Sequence, residues 1–131
     1  MNSSNPSHLI VPIYYEDTDC GGVVYYANYL RYFERARTEY LRERGIDLGE
    51  WAQKGFTFVV THVEVEYKAP ARYADRLEIE TEIADTSRAS ITFLHTVRDQ
   101  SRRLITTSSV VLVCVSDGRP KRIPDWIQSK I

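Results

Sequence analysis

Hydrophobic and polar residues change their spacing along the chain, and the change separates a helical part from a strand part. From about Val23 to Gly45, apolar residues recur every three or four positions, which predicts a long amphipathic helix. The predicted apolar stripe consists of Tyr26, Tyr29, Leu30, Phe33, Ala36, Arg37, Tyr40 and Leu41. Asp47 is a typical helix N-cap, so a short second helix is expected to run from there to about Lys54.

Apolar and polar residues alternate through the second half of the chain, which predicts antiparallel strands over residues 59–68, 77–84, 89–97 and 104–115. The polar residues 99–102 predict a hairpin between the last two. An apolar run over residues 8–15 predicts a first strand, and Pro12 indicates an edge strand or a bulge because proline cannot donate to a ladder. Residues 110–115 are apolar on both faces, which predicts a central strand buried on both sides.

The order of these elements predicts an α+β fold. One long helix is too little to cover two sheet faces, so we expect a curved antiparallel sheet of about five strands wrapped around one long central helix. The chain contains no repeat and no long linker, so residues 1–131 are expected to form a single domain, with residues 1–7 as a flexible tail. The edges of such a sheet favour pairing with a second copy.

Charge and composition limit the partners and the cellular location that we expect for the chain. The net charge is −1, which gives little attraction to nucleic acid or to anionic membranes. A row of glutamates on the predicted strands further disfavours nucleic acid as a partner. No segment has the pattern of a secretion signal or the length of a membrane span, so we expect a cytoplasmic protein. Two distant cysteines, Cys20 and Cys114, do not form a disulfide framework, although a single disulfide stays open.

The candidate chemistry lies where the first strand gives way to the long helix. Asp19 precedes two glycines, Gly21 and Gly22, which allow close approach of a substrate to the backbone. A carboxylate beside the free N–H groups of a helix N-terminus can activate water and stabilise an oxyanion. The structural alternative is an Asp19 that only caps the helix. Asp17 is able to share acid and base roles with it, but we expect Asp17 to fix the turn.

The same stretch resembles the hotdog-fold acyl-CoA thioesterases of the 4-hydroxybenzoyl-CoA thioesterase type, and within them the Tol–Pal-associated branch. The likeness is dense from Tyr14 to Arg44 and continues more loosely to the final IPDWI segment. The matching positions are Tyr15, Thr18-Asp19, Gly22-Val23-Val24-Tyr25, Asn28-Tyr29 and Glu34-Arg35-Ala36-Arg37. The branch commonly has histidine after the VVY run, where this chain has Tyr26.

The resemblance implies roles for individual residues. Asp19 matches the catalytic carboxylate, as either general base or nucleophile, and the backbone N–H of Tyr26 matches the oxyanion donor, a role that survives the change from histidine. The family's site forms between subunits, which implies a homodimer or homotetramer that binds acyl-CoA. No metal or redox cofactor is expected. The expected substrate-binding residues are Gly21, Gly22, Val23, Tyr25 and, from a partner subunit, Phe58, Val59 and Val60.

The same residues leave other functions to compare with a thioesterase. Catalysis by Cys20 is disfavoured because the sequence indicates no histidine that could act as its base. The three histidines also lack the spacing of metal ligands. A hotdog dehydratase generally needs an aspartate and histidine pair. A non-catalytic acyl-CoA-binding or scaffold module of envelope or lipid machinery is the alternative from another class. The sequence therefore predicts an acyl-CoA thioesterase that uses Asp19.

Overall fold

The structure is a computed structural model that describes residues 5–131. Its helices are α1 (Asn28–Glu43), α2 (Leu48–Gln53) and α3 (Asp125–Gln128), and a 3₁₀ turn covers Tyr15–Asp17. Its strands are β1 (Ser7–Pro12), β2 (Phe56–Tyr67), β3 (Arg76–Thr86), β4 (Ser90–Arg98), β5 (Leu104–Ser116) and β6 (Arg119–Pro120). Among the described residues, no helix is long and apolar enough to cross a membrane.

The strands form one antiparallel sheet in the order β1-β3-β4-β5-β2, with the short β6 paired to β5. This confirms the predicted sheet of about five strands, to which β6 is a two-residue addition. β1 lies at an edge, as Pro12 indicated. The predicted hairpin between β4 and β5 is also confirmed: Asp99 Oδ1 accepts hydrogen bonds from the N–H groups of Ser101 (2.9 Å) and Arg103 (3.0 Å).

The long helix begins later than the spacing predicted. It starts at Asn28 rather than Val23, because residues 23 and 24 form isolated β-bridges with Arg72 and Thr18. Two members of the predicted apolar stripe do not belong to the core, since Tyr26 precedes α1 and is 62% exposed and Leu30 is 43% exposed. The buried residues of α1 are Tyr29, Tyr32, Phe33, Ala36, Arg37, Tyr40 and Leu41.

The predicted inner faces of β3 and β4 are confirmed. The inward residues of both strands are buried, namely Leu77, Ile79, Thr81, Ile83, Ile91, Phe93 and Val97. The prediction that β5 is buried on both faces is wrong. Val110, Leu112 and Cys114 are buried, but the alternate residues 111, 113 and 115 are only partly covered. β5 is an interior strand, as predicted, and only its inner face belongs to the buried core.

The predicted cap of α2 agrees with the structure, whereas the predicted N-terminal tail agrees less well. Asp47 caps α2 as predicted, since its Oδ1 accepts from the N–H groups of Gly49 (2.7 Å) and Glu50 (3.2 Å). The predicted tail, residues 1–7, lies mostly outside the described residues, and Ser7 is in fact the first residue of β1. Ser7 is buried and donates to Glu43 at 2.7 Å, which holds β1 to the end of α1. That residues 1–131 form a single domain stays a prediction.

The core contains a buried polar chain that the sequence did not indicate. His95 on β4 lies between the side chains of Arg37 on α1, at 3.3 Å from Nε2, and Thr81 on β3, at 2.9 Å from Nδ1. The imidazole stacks on the ring of Phe33, with centroids 4.7 Å apart. Because Arg37 can only donate, Nε2 accepts and Nδ1 carries the hydrogen that Thr81 receives. Burial, with the nearby Arg37 cation, lowers the pKa of His95 to about 3, so the ring is neutral.

Because His95 is neutral in the folded chain, we expect the free energy of unfolding to decrease in acid. The unfolded chain binds a proton at His95 below the ordinary pKa of 6.5, whereas the folded chain binds it only near pH 3. Stability is therefore fully present above pH 6.5 and falls as the pH falls toward 3, with His95 contributing up to about 1.4 kcal/mol per pH unit. Urea unfolding from pH 7 to pH 4 measures this slope. We expect His95→Gln to flatten this slope and the control His8→Gln, at an exposed histidine on the edge strand β1, to leave it unchanged. Equal slopes in all three proteins would contradict a neutral His95 in the folded chain.

Candidate active site

A short ladder of backbone hydrogen bonds builds the loop that carries the candidate residues. The Asp19 N–H donates to the carbonyl of Val23 at 2.8 Å, and the Tyr25 N–H donates to the carbonyl of Asp17 at 2.9 Å. Thr18 and Val24 form the bridge between these two pairs. Val24 also donates to the carbonyl of Ala71 at 2.8 Å, which ties the loop to the segment before β3. Residues 17–25 are therefore a narrow hairpin rather than a direct passage from strand to helix.

Asp17 fixes the base of this hairpin. Its Oδ2 accepts from the N–H of Tyr14 at 2.8 Å, and its Oδ1 accepts from the side-chain amide of Asn28 at 3.0 Å. One carboxylate thus joins the end of the first strand region to the first residue of α1. Both oxygens have partners, so the contacts fit the expected structural role of Asp17 rather than a shared catalytic one.

Asp19 lies at the tip of the hairpin and is exposed. Its Oδ1 accepts from the N–H of Gly21 at 2.8 Å and, more weakly, from that of Val23 at 3.4 Å. It does not cap the long helix, which begins nine residues later at Asn28. Among residues 5–131, no donor contacts Oδ2, so this oxygen is directed to solvent. The carboxylate is held by its own turn and keeps one oxygen available to water or to a substrate.

The glycines after Asp19 permit this geometry in different ways. Gly22 has a φ of +82°, a left-handed backbone conformation that is energetically unfavourable for residues other than glycine. A Cβ on Gly21 would lie 3.2 Å from Asp19 Oδ1, tighter than an ordinary contact. A side chain at either position would disturb the turn that orients the carboxylate.

A second turn, residues 25–28, separates the hairpin from α1. The Asn28 N–H donates to the carbonyl of Tyr25 at 2.9 Å, which closes the turn, and Leu30 donates to the carbonyl of Ala27 at 3.1 Å. The N–H groups of Tyr26 and Ala27 have no acceptor in the described part of the chain. They are free donors next to the helix start, and they belong to a turn rather than to the helix N-terminus where the Tyr26 donor was expected. The ladder places Tyr25, the first residue of this turn, roughly 7 Å along the hairpin from Asp19, and the two free N–H groups lie just beyond it.

The tyrosines around this turn divide into a buried and an exposed pair. Tyr29 and Tyr32 belong to the core, whereas Tyr25 and Tyr26 are 47% and 62% exposed with ring centroids 4.9 Å apart. A hydrogen bond with the Tyr26 side chain raises the pKa of Tyr25 above its ordinary value, so Tyr25 stays a neutral phenol near neutral pH. Tyr29 therefore packs in the core of this chain, whereas Tyr25, an expected substrate-binding residue, is exposed. The exposed pair forms an aromatic surface beside the free N–H groups.

The predicted residues of β2 are not brought to this loop within one chain. The end of β2 nearest to it is Tyr67, whose hydroxyl donates to the carbonyl of Tyr26 at 2.9 Å. Phe58 and Val60 lie nine and seven residues earlier on the same strand, a distance of roughly 23–30 Å at the usual rise. Phe58 packs against Trp51, whereas Val59 and Val60 are 43% and 44% exposed. These residues can reach such a loop only from another copy of the chain.

The two cysteines and the three histidines were the other candidates for catalysis or metal binding, and their surroundings do not favour either role. Cys20 is exposed and Cys114 is buried, and neither forms a disulfide. His8 pairs with Glu78 at 3.2 Å, His62 pairs with Glu64 at 2.8 Å, and His95 is in the core. In the region covered by residues 5–131, no group of three or more His, Cys, Asp or Glu side chains has an arrangement suited to a metal ion.

Sequence reasoning missed two residues that shape the site. Asn28 was noted only as part of a family pattern, and its amide is the partner of Asp17. Tyr67 was included only as part of the predicted strand over residues 59–68, and its hydroxyl reaches a carbonyl 41 residues away. The alternation of β2 indicates which face Tyr67 occupies, whereas its partner depends on how the loop packs at the sheet edge.

Comparison with known proteins agrees with the resemblance of the opening stretch. A family model described as the thioesterase-like superfamily matches residues 14–131. A relative from Escherichia coli, acyl-CoA thioester hydrolase YbgC, is 41% identical over 119 residues, covering 89% of this chain and 89% of the relative. The predicted family is therefore confirmed, and a relative of the YbgC type fits the predicted Tol–Pal-associated branch.

Solved structures confirm the hotdog fold. A DHNA-CoA thioesterase from Staphylococcus aureus superposes with a TM-score of 0.90 at 28% identity, covering 95% of this chain and 89% of that one. A 4-hydroxybenzoyl-CoA thioesterase superposes with a TM-score of 0.88 at 22% identity, covering 95% of this chain and 97% of that one. These comparisons establish the architecture, while the roles of Asp19 and Tyr26 stay predictions.

The contacts of Asp17 predict that its charge stabilises the loop. Asp17→Asn replaces one acceptor oxygen by a donor, which would face the Tyr14 N–H or the Asn28 amide. Loss of a hydrogen bond to a charged acceptor gives an expected decrease of about 1–3 kcal/mol in the free energy of unfolding. Chemical denaturation measures it, with the exposed neighbour Glu16→Gln as control. Equal stabilities of the two variants would contradict the anchoring role.

Proposed function

Since the chain belongs to the thioesterase-like superfamily, we propose that it hydrolyses acyl-CoA thioesters to a free acid and coenzyme A. The observation that carries the proposal is the presence of an exposed carboxylate, Asp19, and of the free N–H groups of Tyr26 and Ala27 on one hydrogen-bonded loop. The relative from Escherichia coli, which is named for this activity, matches most of the chain.

Asp19 acts on the thioester through its free oxygen. As a general base, Oδ2 takes a proton from a water molecule while that water attacks the carbonyl carbon, and the tetrahedral intermediate then expels the thiolate of coenzyme A. As a nucleophile, the same oxygen forms a mixed anhydride and expels the thiolate first, and water then opens the anhydride. Both routes need Oδ1 held and Oδ2 free, which is the observed arrangement.

The free N–H of Tyr26 stabilises the negative charge that develops on the carbonyl oxygen. Such a donor costs no reorganisation during the reaction because the turn that carries it is already closed by the Asn28 to Tyr25 hydrogen bond. The adjacent helix start adds a favourable dipole for an anion. Gly21, Gly22 and Val23 would border the thioester, and the Tyr25 ring would contact the acyl group.

A second copy of the chain completes the site in this proposal. β2 is an edge strand of 12 residues, and three of its valines, Val59, Val60 and Val63, are 37–44% exposed. Antiparallel pairing of two β2 strands about a two-fold axis near residue 62 would oppose Phe58 of the partner subunit to Glu66, next to Tyr67 and the loop. The reversal of strand direction therefore brings Phe58, Val59 and Val60 to the loop that they cannot reach within one chain.

The surface beside β2 is suited to such an interface. A groove of about 210 Å³ runs between α1 and β2, and Leu30, Val60 and Val63 contribute its exposed apolar surface. Arg37 lies against this groove, is only 8% exposed, and forms no ion pair with a carboxylate in the described part of the chain. Burial lowers the pKa of Arg37. The apolar groove favours coverage by another copy of the chain, as a homodimer or as a tetramer built from dimers.

The remaining parts of the proposal follow from the family and the composition. The enzyme is a single cytoplasmic domain that needs no metal or redox cofactor. A dehydratase reaction is less well supported, because no histidine contacts Asp19 among residues 5–131. A binding module without catalysis is less well supported, because the relative from Escherichia coli is named as an acyl-CoA thioester hydrolase.

Removal of the Asp19 charge is expected to abolish most of the activity. Asp19→Asn keeps an acceptor oxygen for the Gly21 and Val23 N–H groups, so the turn should be retained while the base or nucleophile is lost. We expect a fall in kcat of at least about a hundredfold. The measurement is thiol release from short-chain, long-chain and aromatic acyl-CoAs, with Glu16→Gln as the matched carboxylate control in the same loop.

Each outcome of that assay has a defined meaning. Loss of activity only in Asp19→Asn supports the proposed role, and the panel identifies the acyl class. Equal activity of folded Asp19→Asn and the unchanged protein would show that Asp19 is only structural. No thiol release by the unchanged protein from any member of the panel would favour the binding module.

The proposed interface predicts that a charge on β2 separates the subunits and impairs the site. Val60→Asp would bury a carboxylate between the two strands, so we expect a monomer that has lost at least tenfold in thioesterase activity, since one chain lacks half of the site. Sedimentation velocity and the thiol assay measure both effects. Ile10→Asp is the control, because Ile10 is 49% exposed on the opposite edge strand β1. A fully active monomer would contradict the shared site.

A further inference from the structure

Tyr67 contacts the turn that carries the free N–H groups of Tyr26 and Ala27. It lies at the end of β2, and its hydroxyl donates to the carbonyl oxygen of Tyr26 at 2.9 Å. Its ring meets those of Tyr26 and Tyr29 edge-on, with centroids 6.3 Å and 5.7 Å away. Burial raises the pKa of Tyr67, so its hydroxyl remains a donor at neutral and moderately alkaline pH. The ring contacts hold the hydroxyl in place, and the hydroxyl in turn holds one peptide group.

That peptide group is the central one of the turn at residues 25–28. The turn is closed from the Asn28 N–H to the Tyr25 carbonyl, so the Tyr26 carbonyl and the Ala27 N–H belong to its middle peptide unit. A trans peptide holds its C=O and N–H in opposite directions, and the described chain contains no cis peptide bond. A hydroxyl that fixes the Tyr26 carbonyl on the β2 side therefore directs the Ala27 N–H away from β2.

The middle peptide of such a turn has two orientations. In a type I turn the third residue has a negative φ, whereas in a type II turn the middle peptide is reversed and the third residue has a positive φ. Ala27 has φ −72° and ψ −17°, which excludes the reversed form in this structure. Reversal would point the Ala27 N–H toward β2 and break the bond to Tyr67. Tyr67 thus stabilises the orientation that leaves this N–H free.

We infer that Tyr67 is a positioning residue, which holds the Tyr26–Ala27 peptide so that the Ala27 N–H acts as a second oxyanion donor beside that of Tyr26. The inference rests on the proposed thioesterase function and adds a residue that the family resemblance did not identify. Two adjacent N–H groups without acceptors, on a turn clamped from the sheet edge, form a more rigid anion site than one donor alone.

Tyr67→Phe tests this because it removes the hydroxyl and keeps the ring. Loss of the bond shifts the equilibrium between the two peptide orientations roughly three- to tenfold toward the reversed one. We expect a measurable fall in kcat, at most by that factor, with KM changed less than twofold, because the donors act on charge that develops after binding. The control is Tyr73→Phe, an exposed tyrosine that packs edge-on against Tyr15, and it should keep the kcat of the unchanged protein.

A double-mutant cycle separates positioning from a general loss of stability. Ala27→Gly makes a positive φ accessible at the third position of the turn, but Tyr67 still holds the carbonyl, so we expect less than a threefold loss in kcat. Combining Ala27→Gly with Tyr67→Phe frees the peptide to reverse, and the loss should exceed the product of the two single losses. Simple multiplication of the single effects, or a Tyr67→Phe enzyme with unchanged kcat, would overturn the inference.

Nuclear magnetic resonance tests the orientation of the peptide without any substrate. The closing bond from Asn28 to Tyr25 is common to both turn types, so the readout is the contact between the Tyr26 Hα and the Ala27 N–H, which is short only when the middle peptide is reversed. We expect this nuclear Overhauser contact to strengthen in Tyr67→Phe and to be strongest in the double variant. Inactive unchanged protein would refute the proposed function, and this contact would still decide whether Tyr67 holds the peptide. The same contact intensity in all variants as in the unchanged protein would overturn the inference whether or not the protein is active.

Discussion

The candidate site depends first on the carboxylate of Asp17. Its two oxygens join the N–H of Tyr14 to the side chain of Asn28, so the end of the first strand region and the start of α1 are fastened to one group. The backbone carbonyl of the same residue receives the Tyr25 N–H, which begins the ladder leading to Asp19. A charged acceptor with two donors is among the stronger polar contacts available to an exposed loop. The position of Asp19 at the hairpin tip and the free N–H groups at its base both follow from this anchor.

The edge strand β2 links the loop to the rest of the molecule. Its C-terminal end contributes Tyr67 to the turn that carries the free donors, while its middle presents exposed valines along an unpaired edge. In the proposed dimer, the same strand would therefore support the donors of its own subunit and complete the binding surface of the other. This arrangement gives a physical reason for a shared site: the residues near Phe58 and the residues near Asp19 are at opposite ends of one strand.

Much of the fold could be predicted because it is encoded in local periodicity. The alternation of β3 and β4 places Leu77, Ile79, Ile91 and Phe93 correctly inside, and Asp47 correctly begins α2. The start of α1 could not be predicted in this way, because Tyr26 and Leu30 continue the helical spacing while the β-bridges of Val23 and Val24 depend on tertiary pairing. The contacts of Tyr67 and the chain from Arg37 through His95 to Thr81 join distant elements, so no local pattern reveals them. The position of Asp19 was predictable from its motif, whereas its single free oxygen required the structure.

In the proposed site, the acyl carbonyl lies over the 25–28 turn with Asp19 beside it. A crystal structure with an acyl-CoA analogue that has a methylene group in place of the thioester sulfur would test this position, because the analogue keeps the carbonyl and resists hydrolysis. We expect a carbonyl oxygen about 2.7–3.1 Å from the Tyr26 nitrogen, with Asp19 Oδ2 facing the carbonyl carbon directly or through one water. An acyl group bound away from the turn, with Asp19 Oδ2 remote from its carbonyl, would refute the proposed site.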